Sequence, residues 1–207
     1  MPEEKKLAWI QQALDWAYDK AVFGTGIADS AIVLADDFRK KHDLPEQAID
    51  KLIRWQSAMC ATSGFVTGLG GLITLPLTIP ANVSSVLFLQ LRMIAAIAMI
   101  RGYDPKTEPV KSLAIVCLAG SAAGEILKGV GIRVGEKVTE SVIQKISTQA
   151  IARINRAVGF RLLSKFGSDG VINIGKAIPL VGSVVGGAFD ASSTLIIGKT
   201  AKSTFAS

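Results

Sequence analysis

The chain of 207 residues has little of the chemistry that most enzyme sites use: one histidine, two cysteines and 6% aromatic residues. The single His42 excludes metal sites built from several histidines and argues against a histidine-based catalytic triad. Cys60 and Cys117 stand in apolar surroundings with no C-x-x-C pattern, which is typical of buried thiols. The scarcity of aromatic residues means that Ala, Val, Ile and Leu must build the core.

Nucleotide-binding motifs are also missing. The stretch GEILKGVG at 124–131 lacks the Lys-Ser/Thr ending of a phosphate-binding loop, and GVGIRVG at 129–135 follows a predicted helix instead of a strand. The basic stretches have no interleaved aromatic residues and match no nucleic-acid-binding motif. We therefore expect no catalytic residues, no metal, no cofactor and no nucleic-acid partner.

Charge is absent from residues 55–91, a run of 37 residues without Asp, Glu, Lys, Arg or His. The run is long enough for a membrane span or a re-entrant hairpin. Pro76, Pro80 and several polar residues interrupt it, however, and irregular backbone at bilayer depth must be buried by protein. The pattern favours a buried turn between two helices and leaves a membrane-inserted hairpin as the alternative.

The charges that are present divide unevenly along the chain. Residues 1–54 hold 8 Lys/Arg against 10 Asp/Glu, whereas residues 92–207 hold 15 against 7, within a total net charge of +6. A basic C-terminal half suggests anionic partners. The N-terminal residues are charged where a signal peptide has its apolar segment, so we predict a cytoplasmic protein, peripheral to or partly inserted at the cytosolic face of the inner membrane.

Helical periodicity dominates the chain and no strand pattern rises above it. The sequence predicts an all-α protein, a compact helical bundle with Gly-rich, Pro-broken helical hairpins. Its N-terminal amphipathic helices (1–54) would pack on a domain at 55–207 to give a single structural unit. The second helix would open at Asp29 or Ser30 and the third near Pro45. The predicted helices are a first one ended by Gly24 and Gly26, then 29–42, about 45–63, 81–100, 109–128 and 136–158, followed by a glycine-rich segment at 170–198.

Four stretches, at 64–82, 90–104, 154–167 and 172–190, together resemble the EcsC family over about residues 55–205. The resemblance implies a helical fold and a connection with membranes, and it leaves the mechanism open because the family has no established biochemical activity. Many relatives carry Asp where Asn82 stands here. If a pair of acids matters in those relatives, only Asp190 keeps that charge in this chain.

Glycines recur four residues apart, a spacing that leaves a flat helix face and lets two backbones approach closely. We predict close helix packing at these positions, the alternative being that the glycines simply end helices. The G-x-x-x-G pairs are Gly64–Gly68, Gly120–Gly124, Gly131–Gly135 and Gly182–Gly186.

The segment 136–158 is the clearest amphipathic helix in the sequence. Lys137, Lys145, Arg153 and Arg156 lie opposite its apolar stripe. Such a cationic face suits the surface of an anionic bilayer, although it could equally face water while the stripe packs on the core.

Two carboxylates, Asp190 and Glu125, stand in apolar segments where each needs a partner. An ion pair with Arg92, Arg101 or Arg161 is the favoured interpretation. The leading hypothesis is a non-enzymatic, membrane-associated protein that binds anionic lipid or a membrane protein. The alternative is an enzyme or a protein binding a small apolar ligand, with a cavity near Asn82 and Asp190 and a speculative contribution from Glu125.

Overall fold

A computed structural model describes residues 3–25, 29–61, 81–132, 143, 146–166 and 182–206. Its described residues form helices and no strand, which confirms the all-α prediction. The boundary expected at 54/55 falls inside the third helix, and the division into two parts stays a prediction. The helices are α1 (Glu3–Phe23), α2 (Ala31–Lys41), α3 (Pro45–Ala61), α4 (Ala81–Ile100), α5 (Glu108–Cys117), α6 (Ala123–Lys128), α7 (Thr148–Phe166) and α8 (Gly182–Thr204), with a 3₁₀ turn at Gly120–Ala122 between α5 and α6.

The fold is built around α4. Every side chain from Phe88 to Ala98 is buried, and α4 packs against α1, α2, α3, α5 and α8. A helix that is apolar on all sides belongs in the interior of a protein, which accounts for the charge-free C-terminal part of the 55–91 run. Within the described ranges, no helix has the length and apolarity needed to cross a membrane.

Ion pairs show how the central helices are oriented. Glu46, at the start of α3, contacts Arg101 just after α4 and Lys202 near the end of α8. Both α4 and α8 therefore run antiparallel to α3. Consequently the end of α3 and the starts of α4 and α8 lie at the same end of the bundle.

Local signals set several helix boundaries as the sequence predicts. The Ser30 hydroxyl accepts a hydrogen bond from the Val33 amide at 3.2 Å, so Ser30, and not Asp29, caps α2. Pro45 occupies the first position of α3, where its missing N–H costs nothing. Gly24 and Gly102 follow α1 and α4 with φ of 88°, the left-handed conformation that glycine adopts readily.

The predicted helix 109–128 is wrong as a continuous element. It ends at Cys117, and Gly120 adopts a φ of 57° in the turn before α6. A left-handed residue cannot continue a right-handed helix, so Gly120 and Gly124 do not share one helix face. Gly131 is likewise in a turn, with φ of 83°. Gly64, Gly68 and Gly135 lie outside the described residues.

The predicted helix 136–158 is also interrupted. Ile146 and Ser147 are not helical, and the Ser147 hydroxyl accepts a hydrogen bond from the Ala150 amide at 3.2 Å, capping α7. The helix then continues past 158 to Phe166. Ile154 and Val158 of the predicted stripe are fully buried.

We expect Glu46→Gln to lower the free energy of unfolding at neutral pH, because Glu46 forms ion pairs that link α3 to Arg101 and to α8. The loss should be about 1 kcal/mol or less, because the Glu46 side chain is half exposed and solvent screens its charge. A hydrogen bond from Lys202, together with Arg101, lowers the pKa of Glu46 below its usual 4.5. Its stabilisation is therefore complete above that value and is lost as the pH falls through the lower pKa of the folded state. Urea unfolding at several pH values measures this.

A matched control for this prediction is Glu4→Gln, which removes an exposed carboxylate from α1. A stability difference between wild type and Glu46→Gln that stayed constant from pH 7 down to pH 3 would contradict the assignment.

Candidate functional site

A cluster of polar side chains is buried between α3, α4 and α8; we call it the polar cluster (Gln56, Cys60, Gln90, Arg92 and Thr194). Within it, Arg92 is 4% exposed. Nη1 donates to the Asp29 carbonyl oxygen and Nη2 donates to Gln56 Oε1, both at 3.2 Å. The rings of Trp55 and Phe88 each have their centroid 5.9 Å from Arg92 Cζ. Burial lowers the pKa of Arg92, yet an arginine stays charged in a protein.

The other half of the cluster joins α4 to α8. Gln90 Nε2 donates to Thr194 Oγ1 at 3.1 Å and to Ser193 Oγ at 3.3 Å. Ser193 Oγ in turn donates to the Asp190 carbonyl oxygen at 3.2 Å. These bonds satisfy polar groups that would otherwise cost free energy when buried.

The cluster contains a thiol, but not a reactive one. Burial raises the pKa of Cys60 despite an opposing hydrogen bond from Thr194, and burial raises the pKa of Cys117 to about 12. Because the thiolate is the nucleophile, neither cysteine is suited to nucleophilic chemistry.

The speculative ligand site of Asn82, Asp190 and Glu125 stays a prediction, since its residues lie on three different helices, α4, α8 and α6. Asp190 is half-buried on α8 beside the polar cluster. Glu125 is exposed on α6, which packs on α5 and α7. Asn82 is in the first turn of α4, about 12 Å along the helix from Gln90, and its side chain lies outside the described residues. Arg92 was expected as an ion-pair partner of these acids. Its hydrogen bonds go instead to the side-chain oxygen of Gln56 and to the backbone carbonyl oxygen of Asp29.

Close approach of helices at a glycine occurs at a position that the sequence motifs do not mark. A Cβ on Gly198 of α8 would lie 2.8 Å from both Cγ atoms of Ile53 on α3 and 3.2 Å from Met93 Cε on α4. A Cβ on Gly120 would meet Ile196 Cγ2 at 3.4 Å, an ordinary contact. Gly182 and Gly186 are in the first turns of α8.

The outward face of α7 is basic. Arg153, Arg156 and Arg161 are exposed, and Phe160 between them is 37% exposed with its ring centroid 5.7 Å from Arg156 Cζ. The 19 residues of α7 include four basic side chains and no Asp or Glu. We call Arg153, Arg156, Phe160 and Arg161 the α7 patch. Lys137 and Lys145, the other predicted basic residues, lie outside the described residues.

In a comparison with protein families, the sequence model of the EcsC protein family matches residues 10–207 of the chain. The chain belongs to the EcsC protein family. The match begins within α1, so the EcsC region includes the N-terminal helices that the resemblance at 55–205 leaves out. No curated protein and no solved structure matches the chain in the same comparisons.

In this EcsC protein, the described residues contain no group of three or more His, Cys, Asp or Glu side chains that could hold a metal ion. The hydrogen bond between Arg92 and Gln56 could not be predicted from the sequence, because the two residues are 36 positions apart. One signal was available: Arg92 is the only charged residue in the 20 residues of α4.

Proposed function

We propose that this protein is a non-enzymatic peripheral membrane protein that binds an anionic bilayer through the α7 patch. Its place in the cell would be the cytosolic face of the inner membrane. The observation that carries the proposal is the grouping of three exposed arginines around an exposed phenylalanine on a helix without a carboxylate. Arginines provide attraction to anionic headgroups, and an aromatic side chain can enter the interfacial region.

Charge patterning elsewhere supports this choice of surface. In the described residues, basic side chains elsewhere pair with carboxylates. One such ion pair lies within α2 and another joins α1 to α5. Others join α3 to Arg101 and to α8. These faces carry both signs of charge, so they attract an anionic surface weakly. The α7 patch carries one sign only.

The α7 patch also lies toward the end of the bundle at which α4 begins. A Cβ on Gly159 would lie 3.3 Å from Leu7 Cδ2, which places this part of α7 beside the start of α1. The Tyr18 hydroxyl donates to the Pro105 carbonyl oxygen at 2.8 Å, so the later part of α1 lies by the end of α4 and its start lies toward the start of α4.

Flotation with lipid-only vesicles tests the proposal. We expect the protein to float with vesicles containing phosphatidylglycerol, to remain at the bottom with phosphatidylcholine alone, and to be released as NaCl rises from 50 to 500 mM, because salt screens charge. Equal flotation on both vesicle types at all salt concentrations would contradict the proposal. Absence of flotation on either vesicle type would also contradict it, and would direct attention to a membrane protein as the partner.

A further inference from the structure

Arg92 differs from the other buried cations of the described residues in lacking a carboxylate partner. The Arg101 side chain is 8% exposed and pairs with Glu46, and the Lys111 side chain is 13% exposed and pairs with Asp15 and Asp19. Burial lowers the pKa of Arg92, and the nearby Asp29 carboxylate partly offsets this through space. None of the ion pairs among the described residues includes Arg92, however. A buried charge without a counter-charge in direct contact is costly, so a bound anion would stabilise this position.

The hydrogen bonds of Arg92 and Gln56 leave donors unused. A guanidinium has five N–H donors, and the contacts to Asp29 and Gln56 use Nη1 and Nη2. In the described part of the chain, Arg92 Nε is buried without an acceptor. Gln56 Nε2 is buried with only the sulfur of Cys60, a weak acceptor, near it. Both nitrogens carry N–H donors and their side chains contact each other, so the unmet hydrogen-bonding capacity at this position is for an acceptor.

The guanidinium is close to the surface despite its burial. Trp55, whose ring packs against the guanidinium, is 41% exposed. Asp29, whose carbonyl oxygen accepts a hydrogen bond from Arg92, is also exposed. A shift of the Trp55 side chain would therefore give a small molecule access to Arg92 from solvent.

We propose that Arg92 and Gln56 form a binding site for an oxyanion, the carboxylate or phosphate group of a small molecule, between α2, α3 and α4. Planar guanidinium groups bind both kinds of group through paired N–H donors. The anion would supply a counter-charge in direct contact with Arg92 and a strong acceptor for Arg92 Nε and Gln56 Nε2. This site is separate from the α7 patch and does not depend on membrane binding.

Isothermal titration calorimetry of the full chain with sodium phosphate, sodium acetate and sodium octanoate, at constant ionic strength, tests the proposal. We expect saturable binding of phosphate or of a carboxylate in the wild type, and affinity at least tenfold lower in Arg92→Met. Tighter binding of octanoate than of acetate would assign the site to an anion with an apolar tail, and phosphate binding alone would assign it to a phosphate ester. The matched control is Arg54→Gln, an exposed arginine on the same helix as Gln56, which should bind as the wild type does.

Because Arg92→Met changes a core residue, Gln56→Met provides an independent variant in which the arginine remains. It removes the amide donor, and we expect it to weaken binding by at least threefold. Absence of binding by all three anions to the wild type would overturn the proposal, as would wild-type affinity in Gln56→Met and in a folded Arg92→Met.

Discussion

The variant Arg153→Gln/Arg156→Gln/Arg161→Gln is expected to bind phosphatidylglycerol vesicles roughly a hundredfold more weakly than the wild type. Each basic residue near an anionic surface contributes about 1 kcal/mol, so three contribute about 3 kcal/mol, which corresponds to that factor. The three side chains are exposed on α7, so the variant should keep its fold. Flotation at 100 mM NaCl over a range of lipid concentrations measures the change.

The matched control is Arg39→Gln/Lys51→Gln/Arg54→Gln, which removes the same number of exposed charges from α2 and α3. It has the same net charge as the α7 variant, so it separates a local surface from a general effect of charge. The account predicts near wild-type flotation for the control. Equal losses in the two variants would mean that net charge, and not the α7 patch, governs binding.

The second large effect is expected at Gly198, where replacement by alanine should destabilise the protein by about 1–3 kcal/mol. Alanine normally improves a helix by about 1 kcal/mol relative to glycine. Here its Cβ would lie 2.8 Å from two atoms of Ile53, a buried β-branched side chain with little rotamer freedom. Leucine at 198 should cost more, because the core between α3, α4 and α8 has no room for it. Chemical denaturation measures both variants.

Two controls separate this clash from a general effect of changing a helical glycine. Gly159→Ala would contact only the end of the flexible Leu7 side chain, at 3.3 Å, and should be neutral or slightly stabilising. In an Ile53→Ala background the two Ile53 atoms are absent and only the end of the flexible Met93 side chain, at 3.2 Å, has to give way, so Gly198→Ala should become neutral or stabilising. If Gly198→Ala destabilised both backgrounds equally, close packing of α3 and α8 at this glycine would be refuted.

The first four helices are predictable because their signals are local. Apolar periodicity, the Ser30 cap and Pro45 act within a few residues of the boundaries they set. The apolar stripe of 136–158, by contrast, runs across Ser147, so periodicity alone gives no sign that the hydroxyl caps a new helix there. Gly120 is a comparable case. Its apolar surroundings predict a helix, and its positive φ, which ends the helix there, has no signal in the sequence.

The contacts that define the core depend on tertiary structure and could not be predicted from spacing. Gly198 has no glycine four residues before or after it, so the G-x-x-x-G search does not find it, although it makes the closest approach among the glycines whose surroundings the structure describes. The meeting of Arg92 with Gln56 requires α3 to pack along α4. The basic character of α7 was predictable, because it is a property of composition on one helical face.

A fluorophore at position 160 tests most directly whether the α7 patch faces the bilayer. Bimane would be attached to Phe160→Cys and, as the control, to Arg39→Cys on α2. Cys60 and Cys117 are buried with raised pKa values and should not compete for the label. On addition of phosphatidylglycerol vesicles, the account predicts a blue shift of the emission at 160 and little change at 39. An unchanged spectrum at 160 in protein that floats with the vesicles, or an equal shift at 39, would contradict it.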